Sequence, residues 1–285
     1  MLLISLIPPG ESQSVKAVKQ EPDGKTLSVA DSIELLNTIS RSLTFVNQTK
    51  SLEAANRALK LSLDTDNAVG MAYAYRNLSS LHSYNESYSI SMEYIQRALD
   101  IFEGLADSAG IANCYISLGH TYRRLHNLEE EVRYHRMSFQ IFKRINDQER
   151  IGVTAHNLGE SYFNAGDYRN GRLLTDYAIT INDSLQNKPV LSSCYKVMGL
   201  IELAEGKYDV AKNYFEKVLV LSSELGENSQ KIATAESLFS LATIFKIKQA
   251  RDEQLAYLLR TADFSLQHGL ANYLQRTYQE LILYS

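Results

Sequence analysis

The sequence predicts an all-α solenoid built from antiparallel helix pairs, and three observations carry that expectation. First, YRNLSSLHSYNESY at 75–88 returns as YISLGHTYRRLHNL at 115–128, AHNLGESYFNAGDY at 155–168 and YKVMGLIELAEGKY at 195–208, always 40 residues on. Self-similarity at such a period marks units that bury their apolar faces only against their neighbours. Second, three of the four prolines (Pro8, Pro9, Pro22) fall in the first 22 residues, and the fourth, Pro189, lies between two expected helices. A body so poor in proline suits continuous helices. Third, 45% hydrophobic and 22% charged residues describe a folded chain rather than a disordered one.

Six units follow along the chain. The first, about 29–67, is degenerate in its first helix (SIELLNTISRSL), while Ala58, Leu59 and Leu61 hold the apolar columns of its second. The next four occupy about 68–107, 108–147, 148–187 and 188–227. In the unit at 108–147 the spacing predicts helices over about Ala109–Leu125 and Leu128–Ile145. Leu118 and Tyr122 share one face of the first; Ser138 and Ile141, with Phe139, form the stripe of the second.

A glycine follows the column leucine or methionine at Gly119, Gly159 and Gly199, with Ser79 in the earlier copy. Glycine inside a helix costs about 1 kcal/mol relative to alanine, so its return predicts a crossing too close for a larger side chain. Ala98, Ser138, Ala178 and Val218 are the expected facing column. Gly166-Asp167-Tyr168 and Gly206-Lys207-Tyr208 put glycine at the reversal between helices, and Tyr88, Tyr168 and Tyr208 open the second helix, with Leu128 in that place in the third unit. The sixth unit, about 228–270, gains three residues near Gly226–Ser229, which moves its columns to Leu241, Phe245 and Tyr257. Residues 271–285 look like a partial seventh unit ending on the apolar LILYS. Outer faces of terminal units are normally polar, so this end is expected to continue into further chain or to pair with another molecule.

The L-G-x-x-Y, G-x-Y and small-residue columns resemble tetratricopeptide repeats of the longer, 40-residue kind, over about residues 29–285. ALDIFEGLADSAGIAN (98–113) and SFQIFKRINDQERIG (138–152) are similar to the sensory repeat regions of bacterial histidine kinases and cyclases. The resemblance implies a right-handed superhelix whose first helices line a concave groove, with peptide or protein as ligand. It implies neither cofactor nor metal.

Residues 1–28 differ from the rest. MLLISLI followed by PPGESQS resembles the remnant of a secretory signal, which would place the chain in the periplasm. No Lys or Arg precedes the apolar run and no small-x-small site follows, so an N-terminal tail on a cytoplasmic chain stays open. A formal charge of -4 lacks the broad basic field that nucleic-acid binders use. No run approaches the roughly 20 apolar residues that span a bilayer.

Chemistry-bearing motifs are few. Gly166-x-x-x-x-Gly171-Arg172 imitates a phosphate loop but lacks the Lys and the Ser/Thr, and no strand precedes it, so it reads as a repeat turn. The histidines (His82, His120, His126, His135, His156, His268) form no HExxH, and no G-x-S-x-G occurs. Cys114 and Cys194 stand 80 residues apart, in one column two units apart. Two units mean four helix layers of about 8–10 Å each, against the roughly 7 Å that a disulfide tolerates. Both therefore read as small buried side chains. The chain is expected not to be an enzyme.

Function is then expected in the groove. Carried over column by column, the resemblance offers Tyr73, Arg76, Asn77 and Tyr84, then Asn113, His120, Arg123 and Arg124 in the next unit. The two units after that offer His156, Asn157, Glu160, Asn164 and Lys196. Asn77 and Asn157 match an asparagine that in related long repeats holds a peptide backbone; an amide suits this because it donates and accepts at once. Ser117 and Val197 break that ladder. A carboxylate clamp would need a basic residue followed four later by Asn, and Arg76/Ser80, Ile116/His120, His156/Glu160 and Lys196/Leu200 do not supply one. Arg76, Arg123, Arg124 and Lys196 point to an acidic or C-terminal-carboxylate partner, set against the plain reading of solvated surface charge. The leading expectation is a non-enzymatic interaction scaffold, the sensory region of a larger bacterial signalling protein. A stand-alone peptide-sensing regulator is the alternative, and a hydrolase using groove histidines the least favoured. Self-association through the uncapped last helix is a further expectation.

Overall fold

The computed structural model describes residues 27–44, 46–225 and 230–284; the signal-or-tail expectation for residues 1–28, all but its last two residues, and the insertion near Gly226–Ser229 lie outside the described residues. Thirteen α-helices and no strand occur among the described residues. In chain order they are α1 (Val29–Leu43), α2 (Gln48–Asp64), α3 (Ala68–Tyr84), α4 (Tyr88–Gly104), α5 (Ser108–Arg124), α6 (Leu128–Ile145) and α7 (Gln148–Asn164). There follow α8 (Tyr168–Ser184), α9 (Lys188–Ala204), α10 (Tyr208–Leu225), α11 (Lys231–Ile247), α12 (Arg251–Gln267) and α13 (Ala271–Tyr284). The chain divides into two compact units, one ending at Asn127 and one beginning at Leu128.

Helix starts are written into the sequence by a capping column. Asn67, Asp107, Asp147 and Asn187 each stand just before a first helix and accept the backbone N–H three residues on, at 2.8, 2.9, 3.0 and 3.5 Å. Such a cap satisfies one of the donors that a helix start leaves without an intrahelical partner. Turns are equally regular. Among the described residues, ten turns each hold one residue in the left-handed conformation: Gly166, Gly206 and Gly269, but also Asp66, Glu86, Ala106, His126, Asn146, Gln186 and Gln249. Glycine is thus the favoured but not the required residue at this reversal.

In the first unit, Leu36, Ala54, Ala58 and Ala74 form a cluster reaching from α1 through α2 to α3, and Ala55, Leu78 and Leu81 continue it. In the second unit, Ala155, Ala178 and Cys194 link α7, α8 and α9, followed by Val197, Met198 and Ile201. Ala211, Phe215, Leu241 and Ile244 then join α10 to α11. Each cluster joins consecutive helices, that of α9 through Phe163, Tyr168, Ile179 and Tyr214 packed against it, as nearest-neighbour stacking requires.

The repeated glycine does mark a close crossing, though not against the expected column. A Cβ built on Gly159 would lie 2.6 Å from the Thr175 hydroxyl, and one on Gly199 would lie 2.7 Å from the Phe215 ring. Ala178 and Val218 are fully buried but sit three residues further along. Antiparallel helices joined by a tight turn meet at residues equally far from that turn, which selects 175 and 215.

Candidate functional site: the first-helix faces

In the first unit the face is set by α1, α3 and α5. Tyr73 meets Phe102 edge-on at 5.2 Å between ring centres, and the Arg76 guanidinium lies 5.4 Å over the Tyr73 ring. Arg124, exposed at the end of α5, lies 4.7 Å over the Tyr84 ring and makes no ion pair among the described residues. Asn77 is buried, and its amide donates to the Asn37 carbonyl at 2.9 Å and to Asn37 Oδ1 at 3.1 Å. Asn37 in turn donates to the Gly70 carbonyl at 3.2 Å. The asparagine column therefore begins one unit earlier than the sequence reading placed it, in the helix that looked degenerate, and here it ties helix to helix. Asn113 is buried, Arg123 half-buried and His120 exposed.

In the second unit α7, α9, α11 and α13 make the corresponding face. Lys196 Nζ of α9 lies 2.6 Å from Glu160 Oε1 of α7, with both side chains largely buried. On the next two helices, Tyr273 donates to Glu236, and Arg276 lies 4.0 Å from Glu236 and 4.3 Å over the Phe239 ring. Burial, then the Glu236 charge, push the Tyr273 phenol upward, and the Glu160 carboxylate adds to the shift. Glu236, Tyr273 and Arg276 were missed from the sequence because the groove columns were carried no further than Lys196. The three-residue offset that moves the apolar columns to Leu241 and Phe245 also places Glu236 three residues before the equivalent of Lys196, which would have found it.

His156 and Asn157 are buried in α7, and Asn164 donates to Glu131 at 3.2 Å. A serine and a histidine do meet: His135 Nδ1 lies 2.7 Å from Ser161 Oγ, both fully buried. The Ser161 hydroxyl donates to the Asn157 carbonyl at 2.8 Å, so its oxygen accepts from the imidazole N–H. That is the reverse of the proton abstraction a general base performs, and no substrate reaches the pair.

The phosphate-loop imitation dissolves in the same way. Gly171 faces the Gly159 carbonyl at a helix crossing, and Arg172 is held by Glu202 at 2.9 Å and Glu205 at 2.7 Å. Both cysteines are free and buried. Burial pushes the Cys114 thiol up to about 12 and raises Cys194 as well, so both stay protonated and unreactive near neutral pH. Among the described residues no cluster of three metal-ligating side chains occurs, and no helix is long and apolar enough to cross a membrane.

Residues 70–144 match the tetratricopeptide repeat family model. No curated protein sequence matches the chain. Among solved structures, BtubC (BKLC) from P. vanneervenii is similar at 15% identity and a TM-score of 0.63, over 81% of this chain and 91% of that one. A Rap protein complexed with competence and sporulation factor is similar at 14% identity and a TM-score of 0.62, over 91% of this chain and 76% of that one. A signal-transduction ATPase with a tetratricopeptide repeat sensor, from Pyrococcus horikoshii, gives 12% identity and a TM-score of 0.60, over 93% of this chain and 41% of that one. At these identities the likeness is one of fold. Residues 70–144 thus carry the tetratricopeptide repeat signature, and the remaining described helices share with these structures the fold of stacked antiparallel pairs.

Proposed function

We propose that the chain is a non-catalytic interaction module that holds a protein or peptide segment on its first-helix faces. The observation that carries this is Arg124: exposed, laid over Tyr84 and joined to no carboxylate among the described residues. A cation resting on a ring is partly desolvated and held in place, so it meets an incoming carboxylate at little ordering cost. Arg76 also lies over a ring, Tyr73, within α3. The placement of Arg124 favours an acidic segment or a C-terminal carboxylate. Within the same unit, exposed His120 and half-buried Arg123 of α5 would border it, whereas Asn77 and Asn113 are buried behind them. The second unit's columns (His156, Asn157, Glu160, Asn164 and Lys196) belong to a separate first-helix face, on which Lys196 is already paired with Glu160. The sealed Ser161–His135 pair supports the non-catalytic reading.

The finer reading is a sensory role within a larger signalling protein, supported by likeness in fold to a structure described as a repeat sensor. Likeness to a Rap protein bound to a signalling factor supports the peptide-sensing alternative. Self-association through α13, where Ile282 and Leu283 stand in solvent, would show as a concentration-dependent mass in light scattering that Leu283→Glu removes.

The test is a fluorescence-anisotropy screen of acidic and neutral peptides against the intact chain. Arg124→Ala and Tyr84→Ala should each weaken an acidic binder by about 1–2 kcal/mol while leaving the melting temperature nearly unchanged. Equal affinity of wild type and both variants would remove these residues from the site.

A further inference from the structure

An open cleft of about 480 Å³ lies between α10 and α12 over the first half of α11, and it shares no residue with the first-helix face described above. That size falls within the range of small-molecule sites, about 300–1,000 Å³. Its origin is legible by comparing repeats. Position 238 is Leu, where Tyr75, Tyr115 and Tyr195 occupy the same column in other units. Position 234 is Thr in place of Ile111, Ile151 and Leu191, and position 222 is Ser, in a column that holds Phe102 and Phe142 but also Ser62 and Asn182. At this junction slender side chains coincide in all three columns.

Elsewhere a tyrosine ring fills the equivalent slot. Tyr195 packs on Tyr214 at 6.1 Å with the Lys217 ammonium 5.0 Å above it, and Tyr75 packs on Tyr94 at 5.9 Å with the Arg97 guanidinium 5.7 Å above it. Where the column holds Ala155, the Tyr177 ring takes the place and meets Phe139 edge-on at 6.3 Å. At the α10/α12 junction the covering cation is kept as Arg260 over the Tyr257 ring, but the second ring of the pair, at position 238, is gone. Tyr257 turns instead to stack on Phe245 at 5.4 Å. What remains is an apolar floor of Leu219, Leu238 and Phe264 with two charges on its rim. Among the described residues Asp263 makes no hydrogen bond or ion pair, and Arg260 touches only the Tyr257 ring, at 4.9 Å. Three residues apart on α12, both side chains lie on one edge of the cleft.

We propose that this cleft binds a small aromatic zwitterion, of the aromatic amino acid class. The ring takes the place of the missing tyrosine, the carboxylate meets Arg260 and the ammonium meets Asp263. An ammonium and a carboxylate on one carbon beside a ring match two opposite charges beside an apolar slot.

Isothermal titration calorimetry of the intact chain with L-phenylalanine and L-tyrosine tests this, with tyramine, 3-(4-hydroxyphenyl)propionate, L-leucine and N-acetyl-tyrosine amide as comparators. Saturable binding of both amino acids is expected, with each comparator weaker by about tenfold or more, the cost of one lost ionic contact or of the ring. Arg260→Gln and Asp263→Asn should each reduce affinity by a similar factor, and Leu238→Tyr, which restores the column ring, should abolish binding. Arg124→Ala should leave it unchanged, which separates this site from the peptide face. No saturable binding by the wild type, equal binding of the comparators, or undiminished binding by a folded Leu238→Tyr would each overturn the proposal. If Leu238→Tyr loses its helical circular dichroism, the two exposed charge variants decide the matter alone.

Discussion

Lys196 Nζ and Glu160 Oε1 stand 2.6 Å apart on consecutive first helices, with only 16% and 14% of their side chains exposed. An ion pair so placed gives up much of its hydration, and most of its value lies in each charge cancelling the cost of burying the other. Lys196→Met should therefore destabilise the fold by about 1–3 kcal/mol, below the range for fully sealed pairs. The double variant Glu160→Leu/Lys196→Met should recover most of that loss. Urea unfolding of the double-mutant cycle checks it, and strictly additive losses would count against the account.

Gly159 meets Thr175 where α7 crosses α8, and a methyl added there would stand 2.6 Å from the Thr175 hydroxyl and 3.2 Å from the Gly171 carbonyl. Backbone on one side of the gap leaves little room to yield. Gly159→Ala, ordinarily a gain in helix propensity, should here cost about 1–3 kcal/mol by thermal unfolding.

Asp107 caps α5 by accepting the Gly110 amide at 2.9 Å. Asp107→Ala should destabilise by about 1 kcal/mol, while Asp107→Asn should be close to neutral because its side-chain oxygen still accepts. Hydrogen exchange should show the loss concentrated in the first turn of α5.

Glu205 accepts from Arg172 and Lys207, which hold its carboxyl down to about 2. A depressed folded-state value means that its contribution is complete above the unfolded value of about 4.3 and is lost as pH falls from there toward about 2. Glu205→Gln should flatten the acid limb of the stability curve in that window and leave the slope near neutral pH as it was. Denaturant midpoints across the acid range measure it.

Ala106 holds a left-handed backbone conformation at φ 52° without being glycine. Relief of the Cβ clash outweighs the added freedom of the unfolded chain, so Ala106→Gly should raise stability by about 1 kcal/mol. A fall in melting temperature would contradict that reading of the turns.

The sequence alone determined the helix-pair repeat, because a 40-residue period in leucine, glycine and tyrosine is a one-dimensional record of nearest-neighbour packing. The capping column at Asn67, Asp107, Asp147 and Asn187 was equally there to be read, since a cap acts within its own turn. Tertiary structure decided the rest. It alone showed that Asn77 gives its amide to Asn37, that Lys196 is neutralised by Glu160, and that Ser161 and His135 meet in a sealed interior. Contacts between neighbouring units depend on side-chain direction and on which residues lie equally far from a turn, quantities that spacing constrains without fixing. The cleft beneath Arg260 arises from slender side chains in three separate columns that become one feature only when α10, α11 and α12 are brought together.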